Sequence, residues 1–164
     1  MLKLNVDEIK KEYFNINEFK YPQKEVIEKV IEGSNVLCLM PTGGGKSLIF
    51  QIAGIKLQKT VIIISPLIAL MSQQVKRLNE LNIKALAINS DLGSIKKQYD
   101  SLVEFFQYSN EPKFLYISPE KFFSDGFLEY VFTLNKEQIG LIVIDEVHCV
   151  SQWGYNFRPS YKLI

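Results

Sequence analysis

Histidine occurs once in these 164 residues, cysteine twice, and arginine only at Arg77 and Arg158. Two cysteines and one histidine are too few for a four-ligand structural zinc site built from those residue types within this chain. They also rule out a disulfide scaffold. Cys38 and Cys149 lie in or beside apolar strand-like runs, as buried free thiols in a reducing compartment do. Long apolar runs are missing too. The longest reach about four to six residues, where a membrane helix needs ~20. The start, Met1 to Asp7, lacks the apolar core and small-residue cleavage site of a signal peptide. An intracellular location and no membrane partner are therefore expected. Neither sign of charge dominates: 19 basic residues face 18 acidic ones, for a net charge of +1. A domain that grips nucleic acid mainly through lysine and arginine is usually more basic. The preference for lysine over arginine is compatible with an AT-rich bacterial genome.

With 47% apolar and 23% charged residues, the composition is that of an ordinary globular protein. There is no internal repeat, low-complexity tract or linker, so residues 1–164 are read as one domain. Short apolar runs recur at Val36–Met40, Val61–Ile64, Ala85–Ile88, Phe114–Ile117 and Leu141–Ile144. Most lack polar alternation, as strands buried on both faces do. Helical stripes lie between them. Val26, Ile27, Val30 and Ile31 form one that ends at Gly33. Leu67, Leu70, Met71, Val75, Leu78 and Leu81 form a second, and Ile95, Tyr99, Leu102, Val103 and Phe106 a third. Alternating strand and helix predict an α/β fold with a parallel sheet and ligands outside the carboxyl ends of its strands.

The motifs fall at those ends. Pro41-Thr42-Gly43-Gly44-Gly45-Lys46-Ser47 follows the first run and precedes a helical pattern starting at Leu48. This is the strand–loop–helix context of a phosphate-binding loop. Glycines let backbone N–H groups turn inward around phosphate oxygens, and the helix N-terminus adds partial positive charge. Lys46 is placed to reach the β- and γ-phosphates of ATP, and the Ser47 hydroxyl to ligate magnesium. Met40 stands where the general pattern has its first glycine. At the end of the last run stand Asp145 and Glu146. A carboxylate at the tip of a buried strand is costly unless a cation or partner offsets it. Asp145 fits the role of holding Mg²⁺, and Glu146 that of a general base toward the attacking water. His148 could sense the γ-phosphate end or hydrogen-bond within the core.

Beyond these motifs the chain resembles the RecQ family of superfamily 2 DNA helicases. Met40 to Ser47 is RecQ-like down to the methionine. Ser65-Pro66-Leu67-Ile68-Ala69-Leu70-Met71, with Gln74-Val75, resembles motif Ia, and Tyr116-Ile117-Ser118-Pro119-Glu120-Lys121 resembles a further family motif. The stretch from Asp145 to Tyr161, including Trp153, Phe157 and Arg158, resembles motif II running into the aromatic-rich loop that distinguishes RecQ from its relatives. Phe19 to Gln23 resembles motif 0, which implies that Gln23 and Lys20 contact adenine. The family often has arginine in place of Lys20 and tyrosine in place of Ile16, which implies looser adenine selectivity here. Tyr155-Asn156 replace a common His-Asp pair.

The resemblance implies a RecA-like three-layer sandwich that binds ATP through Thr42, Gly43, Gly44, Gly45, Lys46 and Ser47, with magnesium on Ser47 and Asp145. It implies coupling to single-stranded and forked DNA through His148, Trp153, Phe157 and Arg158. Trp153 and Phe157 would stack on bases, or else pack the loop down. Backbone phosphates would be met at the Ser65-Pro66 and Ser118-Pro119 turns. Motion would run 3′ to 5′ in a bacterial, nucleoid-associated cytoplasmic setting. The family continues into a strand carrying a Ser-Ala-Thr motif and a second RecA-like domain with an arginine finger. That strand sits between the phosphate-loop strand and the Asp145 strand, so the sheet is expected to be incomplete at its C-terminal end. The isolated chain is expected to be inactive as an enzyme, and poorly stable, self-associating or rearranged. A catalytically silent nucleotide- or nucleic-acid-binding module is the alternative.

Overall fold

The computed structural model describes residues 4–41, 43–107, 111–123, 126–127 and 129–147. Helices α1 (Val6–Phe14) and α2 (Gln23–Ile31) come first, then α3 (Lys46–Leu57) and strand β1 (Thr60–Ile64). They are followed by α4 (Ile68–Glu80), β2 (Lys84–Ile88), α5 (Ile95–Phe106), β3 (Lys113–Ile117), α6 (Pro119–Phe122) and β4 (Ile139–Ile144). The four strands pair in parallel in the order β2-β3-β1-β4. Four of the five apolar runs are thus strands of the expected α/β sheet.

β1 is buried along its whole length, and its side chains alternate between two cores. Val61 and Ile63 join Phe114, Tyr116 and residues of α1 to α4 on one face. Ile62 and Ile64 join Leu115, Ile117 and the Leu102–Phe105–Phe106 face of α5 on the other. This is the period-two alternation of a strand between two helical layers. Gly54 lets α3 sit directly on the sheet, because a Cβ there would collide with Val61 and Phe114. The helix therefore runs close above β1 and β3, and its first turn ends up over their carboxyl ends.

Two expectations are corrected. Residues 36–40 form no strand: among the described residues they pair with nothing, and Val36, Leu37 and Leu39 are exposed. The outer edge of β4 likewise has no strand partner among the described residues. Ile142 and Ile144 are exposed on it. Segment 36–41 and β4 line a common cavity of about 750 Å³. A strand exists only through its neighbour's hydrogen bonds, and no described residue fills the neighbouring position. The apolar residues of 36–40 are right for a strand, but the ladder that would make one is missing. In α5, Ile95, Tyr99 and Val103 face outward while Gln98, Leu102, Phe105 and Phe106 are buried. The apolar stripe read from the sequence is rotated by about one residue, because Phe105 and Phe106 together out-compete Tyr99 for the core.

Candidate functional site

The carboxyl ends of β1, β3 and β4 carry Ser65, Ser118 and Asp145, and the parallel ladder continues past each strand to hold them. The Ser65 N–H donates to the Ile117 carbonyl at 3.0 Å and the Ser118 N–H to the Ile88 carbonyl at 3.3 Å. The Asp145 N–H donates to the Ile64 carbonyl at 2.9 Å. Backbone hydrogen bonds therefore hold all three residues in place. Ser65 and Ser118 are both buried, and among the described residues the Ser65 hydroxyl has no hydrogen-bond partner. With both serine N–H groups spent on the ladder and a proline after each, only the hydroxyls of these two residues are left to donate to a phosphate chain.

The glycine loop has the conformation its composition demands. Gly43 and Gly45 adopt φ of +75° and +85°, a region that side-chain-bearing residues rarely enter. Gly44 fits differently: a Cβ there would lie 2.9 Å from the Pro41 carbonyl oxygen, which also accepts the Gly44 N–H at 3.0 Å. No side chain caps the twelve-residue helix α3, whose N-cap is Gly45. Its first N–H groups and dipole are directed at the loop, the arrangement that receives an anion. The Lys46 ammonium, half-buried, donates back to the Met40 carbonyl at 3.4 Å. Lys46, Asp145 and Glu146 line the same cavity. A loop with two left-handed glycines, a helix start that Gly45 leaves without a side-chain cap, a lysine and two carboxylates fit a magnesium nucleotide. Among the described residues no group of three or more histidine, cysteine or carboxylate side chains gathers. A cation on Ser47 and Asp145 would then complete its shell with phosphate oxygens and water, as Mg²⁺ commonly does.

Among the described residues, Glu146 is one of four non-glycine residues with positive φ, at +52°. Such a backbone costs about 1–3 kcal/mol and persists only when its surroundings impose it. It turns the chain sharply off β4, so that Asp145 and Glu146 both line the cavity. Gln23 is buried at the other side of the loop. Its amide Nε2 donates to the Gly44 and Gly45 carbonyls at 3.3 and 3.2 Å, and its Oε1 accepts the Lys20 N–H at 2.8 Å. A Cβ on Gly45 would strike that amide. Reading adenine with Gln23 would require these contacts to be exchanged, which ties base recognition to the loop's shape. The Lys20 side chain is exposed. Thr42, His148, Trp153, Phe157 and Arg158 lie outside the described residues.

Sequence reasoning passed over Gln51. It lies in the apolar helix α3, is 3% exposed, and donates from Nε2 to Gln74 Oε1 at 2.8 Å and to the Tyr116 hydroxyl at 3.5 Å. The signal was present: one amide in the otherwise apolar stretch from Leu48 to Ile55, where an unpaired polar group is costly. Burial pushes the Tyr116 hydroxyl well above its ordinary pKa; the Gln51 hydrogen bond opposes this and the Asp145 charge adds to it. Tyr116 thus stays protonated and feels the Asp145 carboxylate.

Similarity to known proteins gives the family. The chain is similar to a probable ATP-dependent DNA helicase, RecS, of Bacillus subtilis, being 40% identical over 152 residues, 92% of this chain and 29% of that protein. It is 42% identical over 155 residues to the ATP-dependent DNA helicase RecQ of the same organism, across 93% of this chain and 25% of that one. It is 39% identical over 154 residues to the RecQ-like DNA helicase blm-1 of Caenorhabditis elegans, across 92% of this chain and 15% of that one. The chain therefore spans less than a third of the length of these relatives. No described helix is long and apolar enough to cross a membrane. A family model described as DEAD/DEAH box helicase matches residues 20–164, from the segment that positions Gln23 through the Asp145–Glu146 strand end and beyond, and the chain belongs to that family.

Proposed function

We propose that this chain is the ATP- and magnesium-binding half of a RecQ-like DNA motor. The observation that carries the reading is the convergence of Lys46, Asp145 and Glu146 on one cavity beside a loop with two left-handed glycines. Loop N–H groups and Lys46 bind the β- and γ-phosphates, and Ser47 and Asp145 hold magnesium, which neutralises charge developing on the phosphate oxygens. Glu146 takes a proton from the attacking water as its oxygen bonds to the γ-phosphorus and the bond to the bridging oxygen breaks. Gln23 and Lys20 contact the adenine.

The remaining roles rest on the similarity to RecQ helicases. Trp153, Phe157 and Arg158 stack on or pair with single-stranded DNA and, with His148, report its presence to the γ-phosphate end. The Ser65-Pro66 and Ser118-Pro119 turns meet backbone phosphates. A second RecA-like domain in the full reading frame closes the site, and the motor unwinds forked DNA 3′ to 5′ in the bacterial cytoplasm at the nucleoid. The open edge of β4 favours one further reading, a silent nucleotide-binding module, for any product that is no longer than this chain.

Binding is testable on the chain itself. A fluorescent ATP analogue with magnesium is expected to bind, and Lys46→Ala to weaken it by about 10- to 150-fold, the value of one charge-assisted hydrogen bond to phosphate. Equal affinity for the two proteins, measured by anisotropy, would remove Lys46 from the site.

A further inference from the structure

Some buried polar side chains have local duties. Asn89 caps a short turn by accepting the Asp91 N–H, and Gln98 donates to the Gly93 carbonyl. Gln51 differs, because both its partners lie on other elements: Gln74 on α4 and Tyr116 on β3. It stands five residues into α3, the helix that starts at the phosphate loop. α4 follows the Ser65-Pro66 turn, and β3 runs into the Ser118-Pro119 turn. One buried amide therefore joins the helix of the phosphate loop to both elements that flank the candidate DNA-tracking turns.

The chemistry suits transmission. The three groups form a short chain whose members are 2.8 and 3.5 Å apart within an otherwise apolar layer. At the buried Gln51–Tyr116 link a small displacement of α3 either moves β3 or breaks the hydrogen bond, and at the half-buried Gln74 it pulls on α4. The Tyr116 hydroxyl accepts from Gln51 and keeps its own proton to donate. On the adjacent strand, the Ser65 hydroxyl is the one buried side-chain polar atom without a partner among the described residues.

We propose that Gln51 is a positioning residue: through Gln74 and Tyr116 it passes the state of the phosphate loop to the Ser65-Pro66 and Ser118-Pro119 turns, and so couples nucleotide to DNA. The inference rests on the motor reading. Gln51 touches neither nucleotide nor DNA, so its removal should spare ATP binding and damage the response to DNA.

The test is steady-state ATPase of the product of the full reading frame, titrated with ATP and with single-stranded DNA. Gln51→Leu and Gln74→Leu are each expected to leave the KM for ATP within about twofold and to lower the DNA-stimulated kcat by about 5- to 150-fold, the span of ordinary coupling between sites. The double variant should be no worse than either single one, as expected for members of one network. Gln74→Glu should retain stimulation, because its carboxylate still accepts from the Gln51 amide. Gln74 is only half-buried, so its variants keep the test alive if Gln51→Leu fails to fold. Undiminished stimulation in Gln74→Leu, or an equal fall in Gln74→Glu, would overturn the coupling role. A wild-type product without DNA-stimulated turnover would instead sink the motor reading on which the inference stands.

Discussion

Glu146→Gln in the product of the full reading frame is expected to slow ATP turnover by about 10²- to 10⁴-fold while nucleotide affinity is kept. The factor is what a positioned general base contributes. Glutamine has the shape of glutamate and keeps the strained turn at φ +52° intact, so a loss of rate would reflect the missing proton acceptor and not a displaced backbone. Lys46 and the glycine loop, proposed to hold the phosphates, are untouched by the change. The expected signature is therefore a collapse of kcat with an unchanged dissociation constant for the magnesium nucleotide. Turnover within about threefold of wild type, well below what general-base catalysis supplies, would show that another group accepts the proton.

The second large effect concerns the isolated chain, which is expected to self-associate through the edge of β4. Ile142 and Ile144 on that edge, and Val36, Leu37 and Leu39 across the cavity, are all exposed. An unpaired, apolar, regular edge is a template for another strand. The RecQ resemblance assigns that place to a later strand of the family. Sedimentation of this chain at tens of micromolar, an ordinary range for association of exposed strand edges, should show dimers or larger species. The double variant Leu39→Lys, Ile142→Lys should shift them to monomer, since edge lysines block pairing. A wild-type monomer with a cooperative melting transition would contradict this account of the edge.

Four strands and three helices were legible because each is a local pattern: aliphatic runs for buried strands, and three-to-four spacing for helices. The phosphate loop was legible because glycine, lysine and serine have few other reasons to stand in that order after an apolar run. What failed was non-local. Residues 36–40 have strand composition, yet a strand is a property of two segments, and its neighbour is not among the described residues. The facing of α5 depended on whether Tyr99 or Phe105 reached the core, which its stripe alone cannot decide. Gln51 was visible as a polar residue in an apolar helix, but its partners are 23 and 65 positions away. The engagement of Gln23 with the loop carbonyls is likewise a contact across more than twenty residues.

The central claim is that the nucleotide site built here drives a DNA motor. The most direct measurement is the ATPase rate with and without single-stranded DNA, on this chain and on the product of the full reading frame. The account predicts turnover that DNA stimulates in the full product alone, with this chain slower by ~10³ or more for want of the arginine finger that closes such sites. A full product that binds magnesium nucleotide but never turns it over in response to DNA would contradict the motor and establish a binding module.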